Sequence, residues 1–534
     1  MNDIPQTERA VQLVGPDKLE LNSAKTVADP GPHQVLARVE AVGLCFSDLK
    51  LLKQFSQHSR KSDVLTGLDA QTLAEMPNYV PGDTPTVPGH EAVVRVVKVG
   101  PGVDRYKTGE RFIVETDYRW LPTDKSNAAF GYNFEGGLQE YVLLDERVIT
   151  SPEGESMLIP APEDLSASAL ALVEPWACVE NAYTEVQRRT LKSGGRLLVV
   201  GDAPVLRAVV DKCPGRPGSV FFATGVSVAA QPDASFDDVA YFGADAATVE
   251  TLFPKLAPGG LMAIVQGGRK FGRLVETQVG RVHYGGIRVV GTAGADPAAA
   301  YAAIPATPEI RPGDKINIVG AAGPMGTMHV IRDLCQGAEG VTVYAGDLND
   351  ERLAALGALA SPLAEKNGVT LRLYNPSKNP PGEAFDYAVL MAPVPALAAQ
   401  GVMAAARNAI INVFAGIPAD KTAAVDLDAY VEKQLYFVGT SGSELKDMQR
   451  VLAKVVAREL DTNFSVAAVS GLDGAIDGIR AVEKNLLPGK ILVYPSCRGL
   501  ELTTLGELGG DTPLESGRWN LEAEAALLRR FAKP

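Results

Sequence analysis

Apolar and polar residues alternate in two stretches near the start of the chain, as they do in half-buried β-strands. Residues 35–42 and 91–99 both show this period of two. The residues between them include turns rich in glycine and proline, which interrupt regular structure. The pattern therefore predicts a compact β-domain that extends to about residue 185.

Three blocks of sequence in the middle of the chain recur in the same order, which indicates an internal repeat. Residues 191–201 resemble 310–320, residues 235–240 match 384–389, and residues 287–294 match 435–442. Strand and helix signals alternate within each copy, as in a doubly wound parallel sheet. We therefore predict an α/β fold with two tandem Rossmann-like domains, over residues 186–305 and 306–463.

The second copy carries a glycine-rich turn between a predicted strand and a predicted helix. Its backbone is expected to approach a pyrophosphate at the helix N-terminus; the candidate cofactor-binding residues are Gly320, Ala322, Gly323, Pro324, Met325 and Gly326. The next predicted strand, 341–345, leads to Asp347, which is placed to accept a hydrogen bond from the adenosine ribose and so favours NAD over NADP. Asp347 could instead be a turn or cap residue. The nearby Arg352 could accept the 2′-phosphate of NADP, so NADP stays an alternative.

The first copy differs from the second at the equivalent turn, residues 201–206. Side chains stand there in place of glycines, and Asp202 would repel a phosphate. A neutral Gly225 lies near the position that Asp347 has in the second copy. We predict that the first copy has lost its dinucleotide site and kept its fold.

Charge and composition exclude some partners. The net charge of −13 argues against a nucleic-acid partner, since phosphate binding needs clustered Lys and Arg. The N-terminus lacks the features of a signal peptide, and no apolar run reaches the length of a membrane span. The five cysteines are odd in number and scattered, which suits a reducing compartment. We expect a cytoplasmic protein that binds no nucleic acid and no membrane.

A thiol, an imidazole and a carboxylate lie in two glycine-containing turns of the N-terminal part. They are Cys45, after Gly43, and His90 and Glu91, after Gly89. These are ligand types of catalytic zinc, where three protein groups leave a position open. The alternatives are a core cysteine and a chance Gly-His-Glu tripeptide.

These segments, together with Glu174 before Pro175, resemble the zinc-dependent medium-chain dehydrogenase family, particularly its sorbitol and sugar-alcohol branch. The resemblance implies a GroES-like β catalytic domain over residues 1–185, completed by residues 464–498. It also implies one catalytic zinc, with Cys45 and His90 as ligands and Glu91 and Glu174 as nearby carboxylates. Which carboxylate binds directly stays open. Ser47 would pass the alcohol proton, and Asp48 would orient His90; both could instead be an ordinary turn pair.

Two segments depart from the family pattern. Residues 115–137 contain no cysteine, so we expect no structural zinc. Their aromatic residues (Tyr118, Trp120, Tyr132 and Phe134) either line a sugar-sized pocket or belong to the core. Residues 51–82 are longer than the family's usual connection, and we interpret them as a surface insertion, with a role in shaping the pocket as the alternative. Residues 499–534 form a C-terminal extension, in which Asn520 caps a predicted helix through Phe531.

The resemblance implies a zinc-dependent oxidoreductase that transfers a hydride between NAD(H) and a secondary alcohol or ketone of a polyol, sugar alcohol or ketose. A reductase of a phosphorylated ketose and a catalytically silent NAD-binding sensor or scaffold are the alternatives. In the family, cofactor domains of two subunits join edge to edge. The silent first copy could therefore act as a built-in partner, which makes the chain either a pseudo-dimeric monomer or part of a homo-oligomer.

Overall fold

The computed structural model describes residues 4–201, 210–510 and 512–532 of the chain. The chain forms two compact units, one that joins Met1–Ala177 to Ser443–Pro534 and one that comprises Cys178–Gly442. Within the described residues, none of the helices combines the length and the apolar composition that a membrane span requires. All five cysteines are free thiols.

The strands are numbered in chain order. The first unit begins with β1 (Thr7–Gly15), β2 (Lys18–Thr26), β3 (Gln34–Gly43), β4 (Glu91–Val99), β5 (Arg111–Val114), β6 (Asp117–Pro122), β7 (Asn127–Ala129), β8 (Tyr141–Asp145) and β9 (Leu158–Pro160). The second unit contains β10 (Arg196–Val200), β11 (Ser219–Ala223), β12 (Phe236–Phe242), β13 (Leu256–Val265), β14 (Val275–Thr277), β15 (Arg288–Thr292), β16 (Lys315–Val319), β17 (Thr342–Gly346), β18 (Thr370–Tyr374), β19 (Phe385–Leu390), β20 (Ala405–Val413), β21 (Ala423–Val425) and β22 (Tyr436–Val438). The chain then completes the first unit with β23 (Val466–Ser470), β24 (Lys490–Val493) and β25 (Thr503–Thr504).

Helices occur in both units. Those of the first unit are Phe46–Gln54, Ala70–Ala74, Glu146–Ile149, Ala167–Ala171, Leu445–Val456, Leu472–Glu483 and Leu521–Phe531. Those of the second are Ala246–Leu252, Gly280–Tyr284, Ala298–Ala302, Pro324–Cys335, Asp350–Asn367, Ala396–Ala404 and Leu427–Glu432. Helix Val173–Thr184 begins in the first unit and ends in the second. Short 3₁₀ turns lie at Phe55–Gln57, Ser59–Lys61, Gly225–Ala230, Phe253–Lys255 and Thr462–Ser465.

The first unit is built around a mostly antiparallel sheet in the order β25-β23-β24-β3-β4-β5-β9, with β8 also paired to β3. The predicted strands at 35–42 and 91–99 are confirmed as β3 and β4, which pair with each other. The closing strand β24 pairs with the end of β3 through Leu492 and Gly43. The sheet therefore brings the last part of the chain against the first, at the point where β3 leads to Cys45.

Residues 51–82 are not the surface insertion that the sequence suggested. Leu51, Leu52, Phe55, Leu73 and Met76 are buried in the core of the first unit. These side chains belong to the same core cluster as residues of β3 and β4, such as Val39 and Val94, so the segment is a part of the folded unit.

The C-terminal extension is also a part of the first unit. Asn520 caps helix Leu521–Phe531 by accepting a hydrogen bond from the Ala523 amide at 2.8 Å, which confirms that prediction. Glu524 on the same helix accepts hydrogen bonds from the amides of Ala167 and Ser168 at 2.6 and 2.8 Å. Because these amides open helix Ala167–Ala171, the carboxylate caps that helix from a distant part of the chain.

The second unit confirms the predicted α/β class. Its two parallel sheets have the orders β11-β10-β12-β13-β15 and β18-β17-β16-β19-β20-β22. The second order is that of a doubly wound dinucleotide-binding sheet. Each of the proposed domains, residues 186–305 and 306–463, carries one of these sheets.

The two copies meet in a pseudo-two-fold arrangement within the second unit. Strand β14 pairs antiparallel with β21, and Glu276 lies opposite Ala424. Glu276 stands eleven positions before Ile287, where a repeated block of the first copy begins. Ala424 stands eleven positions before Leu435, where the matching block of the second copy begins, so equivalent positions of the two copies face each other. The last strands of the two sheets, β15 and β22, also contact each other. Apolar side chains of both copies, such as Val289 and Phe437, belong to one core.

Gln187 lies between equivalent residues of the two copies. Its Oε1 accepts hydrogen bonds from Arg288 Nε at 3.1 Å and from the Tyr436 hydroxyl at 2.8 Å. Arg288 follows Ile287, and Tyr436 follows Leu435, so each stands at the same position of its copy. All three side chains are buried. One amide oxygen thus joins the two sheets through hydrogen bonds that water does not compete for.

We expect the substitution Glu524→Ala to lower the free energy of unfolding of the first unit by about 2–4 kcal/mol, because it leaves two buried amides and the Tyr494 hydroxyl without their acceptor. All three tryptophans of the chain (Trp120, Trp176 and Trp519) belong to this unit, so denaturant unfolding followed by tryptophan fluorescence reports on it. Glu522→Ala, an exposed change on the same helix, is the control and should alter the stability by less than about 0.5 kcal/mol. Equal midpoints for the two variants would contradict the capping role.

Candidate functional site

Cys45 lies at the junction between β3 and helix Phe46–Gln54. It is the N-cap residue of this helix and has an extended backbone, with φ −121° and ψ 150°. The strand holds the backbone up to Gly43, and the helix begins immediately after Cys45. The thiol therefore stands at a turn fixed on both sides by regular structure.

His90 lies immediately before β4, after a turn that only glycine fits well. Gly89 has φ +96°, in the left-handed region, and a Cβ there would lie 2.9 Å from the Leu138 side chain. Neighbouring residues of a regular strand point to opposite faces. The bend at Gly89 allows the side chains of His90 and Glu91 to approach the same point. His90 itself is buried.

Asp48 holds both candidate ligands at once. Its Oδ1 lies 2.9 Å from His90 Nδ1, and its Oδ2 accepts a hydrogen bond from the Cys45 amide at 3.2 Å. The orienting contact with His90 that the resemblance implied is thus confirmed. Burial disfavours a charged His90, but the charge and hydrogen bond of Asp48 outweigh burial and raise the pKa of His90 well above its usual value. With Nδ1 engaged, Nε2 is the nitrogen left for a metal.

Ser47 stands between the two ligand atoms. Its Oγ lies 3.1 Å from Cys45 Sγ and 3.1 Å from His90 Nε2. A hydroxyl at this place is within reach of anything that the thiol and the imidazole bind together. The proton-relay role of Ser47 stays a prediction that these distances allow.

Glu91 is fully buried, and the two oxygens of its carboxylate have different surroundings. Its Oε1 accepts a hydrogen bond from Lys490 Nζ at 2.5 Å. Its Oε2 is buried and has no hydrogen-bond partner among the described residues. A Cβ on Gly43 would lie 2.0 Å from this Oε2, so the carboxylate occupies space that exists only because residue 43 is glycine. A buried anionic oxygen without a donor needs a cation, and a metal ion would supply one.

The ligand atoms of Cys45, His90 and Glu91 all lie within 4.8 Å of one another. Sulfur, imidazole nitrogen and carboxylate oxygen in such a cluster fit a zinc ion. Glu174, the fourth candidate, lies close enough for their charges to act on it: burial raises its pKa to about 7, His90 lowers it and Glu91 raises it. Both carboxylates thus stay candidates for direct ligation, as the sequence left them.

Lys490 is the functional residue that the sequence analysis missed. It is buried, and its position is set by β24, which pairs with β3 beside Gly43. Burial alone would lower the pKa of Lys490, but Glu91 and Cys45 raise it above its usual value. A lysine at the start of a closing strand gives no signal of this role, because its partner lies about four hundred residues earlier in the chain.

The aromatic residues of the segment 115–137 mostly belong to the core. Tyr118 and Phe134 are buried in the apolar cluster of the first unit, and Trp120 is partly buried against it. The core interpretation is therefore the right one for these three. Tyr132 is also buried, but its ring centroid lies 5.8 Å from that of His90. It is the one of these four rings for which the structure gives a contact with a candidate ligand.

The glycine-rich turn of the second unit follows β16, as predicted, and leads into helix Pro324–Cys335. Gly320 has φ +85°, and a Cβ on Gly326 would lie 2.3 Å from the carbonyl oxygen of Gly320. The backbone is therefore packed as closely as a phosphate-binding turn requires. Ala322, Gly323, Pro324 and Met325 complete the stretch between these two glycines.

Asp347 comes directly after β17 and faces the turn. Its Oδ2 accepts a hydrogen bond from the Ala322 amide at 3.2 Å, and its Oδ1 accepts one from the Asn349 amide at 3.0 Å. The side chain is only partly buried. The carboxylate thus stands beside the glycine-rich turn, as a ribose-binding residue must, and also serves the local turn. Of the corresponding turn in the first copy, residues 202–206 lie outside the described residues.

Comparison with known proteins identifies a domain in the N-terminal part of the chain. Residues 31–153 match the model of the alcohol dehydrogenase GroES-like domain. The chain is 28% identical over 215 residues to (R,R)-butanediol dehydrogenase of Bacillus subtilis (strain 168), a match that covers 37% of this chain and 52% of that protein. It is 28% identical over 193 residues to sorbitol dehydrogenase of Gallus gallus, a match that covers 34% of this chain and 45% of that protein. The chain thus spans about half the length of these curated relatives.

The fold resembles that of a solved structure over most of its length. The crystal structure of 2R,3R-butanediol dehydrogenase from Bacillus subtilis superposes with a TM-score of 0.54 at 18% identity, and the match covers 92% of this chain and 100% of that one. The GroES-like match contains Cys45, His90 and Glu91, and the second unit supplies parallel sheets of the dinucleotide-binding kind. The chain thus contains an alcohol dehydrogenase GroES-like domain and, over about a third of its length, is similar in sequence to butanediol and sorbitol dehydrogenases.

Proposed function

We propose that this protein is a zinc-dependent oxidoreductase that transfers a hydride between NAD(H) and the secondary alcohol or ketone of a polyol, sugar alcohol or ketose. One observation carries the proposal: Cys45, His90 and Glu91 converge within 4.8 Å, and a buried carboxylate oxygen of Glu91 has no donor among the described residues. The relatives named as butanediol and sorbitol dehydrogenases support the substrate class.

The donor residues have separate roles in this proposal. Cys45 and His90, with a carboxylate of Glu91 or Glu174, would hold one zinc ion and leave a position for the substrate. When bound, zinc supplies the Lewis acidity that ionises a substrate hydroxyl near neutral pH, and NAD⁺ accepts the hydride. Asp48 fixes the orientation of His90 and of the Cys45 backbone. Ser47, 3.1 Å from both ligand atoms, would accept the alcohol proton and pass it towards solvent.

The dinucleotide belongs to the second copy in this proposal. The residues that would hold it are those of the glycine-rich turn, Gly320–Gly326, and the partly buried Asp347. A carboxylate beside the turn accepts hydrogen bonds from ribose hydroxyls and repels a 2′-phosphate, so NAD(H) is the preferred cofactor over NADP(H). Free cysteines in both units suit a reducing compartment, which supports a cytoplasmic location.

The first copy would act as a built-in partner for the second. The equivalent strands β14 and β21 pair, β15 contacts β22, and one apolar core joins both copies. These contacts use the sheet edge through which two subunits could otherwise join. We therefore propose that the chain is a pseudo-dimeric monomer.

Replacement of Cys45 by Ala should remove the zinc ion and reduce turnover at least about 100-fold, because the site loses its thiolate ligand. NAD⁺ affinity should stay within about 2-fold, since the turn that binds it lies in the other unit. The measurements are metal content by mass spectrometry, NADH absorbance over a panel of polyols, and NAD⁺ titration calorimetry. Cys213→Ala, a buried cysteine of the second unit, is the control. A metal-free Cys45→Ala enzyme that keeps its activity would refute the mechanism.

Replacement of Gly326 by Ala should weaken NAD⁺ binding and leave the zinc content unchanged. The added methyl group would meet the Gly320 carbonyl at 2.3 Å, and crowding of this kind costs about 1–3 kcal/mol, which is about 5- to 150-fold in Kd. Gly382→Ala, with no atom within 4 Å of the added carbon, is the matched control. Unchanged NAD⁺ affinity in Gly326→Ala would mean that the dinucleotide binds elsewhere.

Sedimentation velocity at micromolar concentration should show a single species with the mass of one chain. The physical reason is that the sheet edges β15 and β22 already contact each other within the second unit. A stable dimer under these conditions would count against the pseudo-dimer. Addition of NAD⁺ should not change the mass, because cofactor binding by the second copy needs no second chain in this proposal.

A further inference from the structure

The segment after helix Phe46–Gln54 reaches the ring that packs on the candidate ligand His90. The His58 ring centroid lies 5.2 Å from that of Tyr132, and the Arg60 guanidinium carbon lies 5.4 Å from the same centroid. The Tyr132 and His90 centroids are 5.8 Å apart. Tyr132 thus contacts the candidate metal ligand His90 and also two polar side chains of the segment 51–82, His58 and Arg60.

This segment is held rigidly where it approaches Tyr132. The Ser59 carbonyl accepts a hydrogen bond from Thr123 Oγ1 at 2.8 Å, and the Ser62 carbonyl accepts one from Asn133 Nδ2 at 3.1 Å. Lys61, which is fully buried, donates to the carbonyl of Thr84 at 2.8 Å and to that of Val80. Side chains positioned in this way lose little entropy when they bind a ligand.

Arg60 forms a forked ion pair with Asp117. Its two terminal nitrogens lie 2.7 and 3.2 Å from the two carboxylate oxygens. The Arg60 side chain is 28% exposed, so a solute can reach it, whereas Asp117 is 12% exposed and its Oδ1 is buried. Burial opposes the charge of Arg60, but Asp117, Tyr132 and Glu174 raise its pKa. Arg60 thus lies within electrostatic range of Glu174, one of the candidate metal ligands.

His58 adds a neutral group to this pair. Its Nδ1 accepts a hydrogen bond from the Arg60 amide at 3.2 Å, so the proton of the neutral ring is on Nε2. Burial, with the charges of Arg60 and Lys50, lowers the pKa of His58 to about 4. The ring is therefore uncharged at neutral pH and offers one N–H donor.

We propose that His58, Arg60 and Asp117 form a distal subsite that binds the non-reacting hydroxyl groups of a polyol. This inference rests on the proposed function, which puts the reacting hydroxyl beside Cys45 and His90. The distal subsite offers N–H donors and carboxylate acceptors side by side, which matches hydroxyl groups, because each hydroxyl both donates and accepts. Asp117 pairs with Arg60 and also, at 3.5 Å, with Arg119, whose other partner is Glu444 at 3.4 Å. Two carboxylates thus balance the two guanidinium groups, so the subsite suits a neutral polyol better than a phosphorylated one.

The test compares two substrate classes with wild-type and Arg60→Met proteins. Kinetics with NAD⁺ are measured for four- to six-carbon polyols and for monohydric secondary alcohols of the same chain lengths. Loss of a charged donor to a hydroxyl should reduce kcat/KM for the polyols about 10- to 100-fold, mainly through KM. The loss for the monohydric alcohols should be at least 5-fold smaller than that for the polyols. Arg38→Met, at an exposed position of β3, is the matched control.

Each outcome decides the inference. A polyol-selective loss with full zinc content supports the distal subsite, whereas equal losses for both classes, or unchanged polyol kinetics, overturn it. If Arg60→Met does not fold, as judged by zinc content and tryptophan fluorescence, Arg60→Lys takes its place. Lysine keeps the charge but not the fork, and it should still reduce polyol selectivity about 10-fold; unchanged selectivity overturns the inference.

Direct binding separates this inference from the proposed function. Titration calorimetry measures the affinity of the zinc-loaded wild-type and Arg60→Met proteins for the same polyols, without turnover. Wild-type protein that binds polyols more tightly than Arg60→Met but oxidises none of the alcohols would refute the proposed function and support the distal subsite. Wild-type protein that oxidises polyols, with equal polyol affinity in both proteins, would support the function and refute the distal subsite.

Discussion

The candidate site depends on one buried ion pair, Glu91 with Lys490. A carboxylate that is fully out of water is stable only if another group balances its charge. Lys490 Nζ lies 2.5 Å from one oxygen of Glu91, and the other oxygen is left for a cation. Removal of one partner from such a pair typically costs about 3–5 kcal/mol, because the other charge remains buried. The pair therefore couples β24, near the end of the chain, to Glu91, the candidate ligand at the start of β4.

This pair also explains why glycine residues stand where they do. Gly43 pairs with Glu91 across β3 and β4 and with Leu492 across β3 and β24. A side chain at residue 43 would fill the space of the Glu91 carboxylate. Gly89 supplies the left-handed bend that turns His90 towards Cys45. The donor set is thus fixed by backbone geometry before any metal binds, which limits the reorganisation that binding requires.

The sequence predicted those features whose signal is local or repeated. Alternation identified β3 and β4, the repeated blocks identified two parallel sheets, and the glycine spacing identified the turn at Gly320. It could not identify Lys490, because a salt bridge between residues far apart in the chain leaves no pattern around either one. Residues 51–82 were misinterpreted for a related reason. After the end of helix Phe46–Gln54, most of the segment lies in short turns and irregular chain without a regular period, so its burial becomes visible only when the surrounding core is known.

The second unit suggests why a copy without its glycine-rich turn keeps its fold. The apolar core contains buried side chains of both copies, such as Val289 from β15 and Phe437 from β22. If the first copy were absent, β22 and β21 would expose edges and apolar surface that are now covered, and such edges promote association. Gln187 adds a hydrogen-bonded link between Arg288 and Tyr436. The strands of the first copy therefore contribute to the stability of the second through this shared core, which does not depend on a phosphate-binding turn in the first copy.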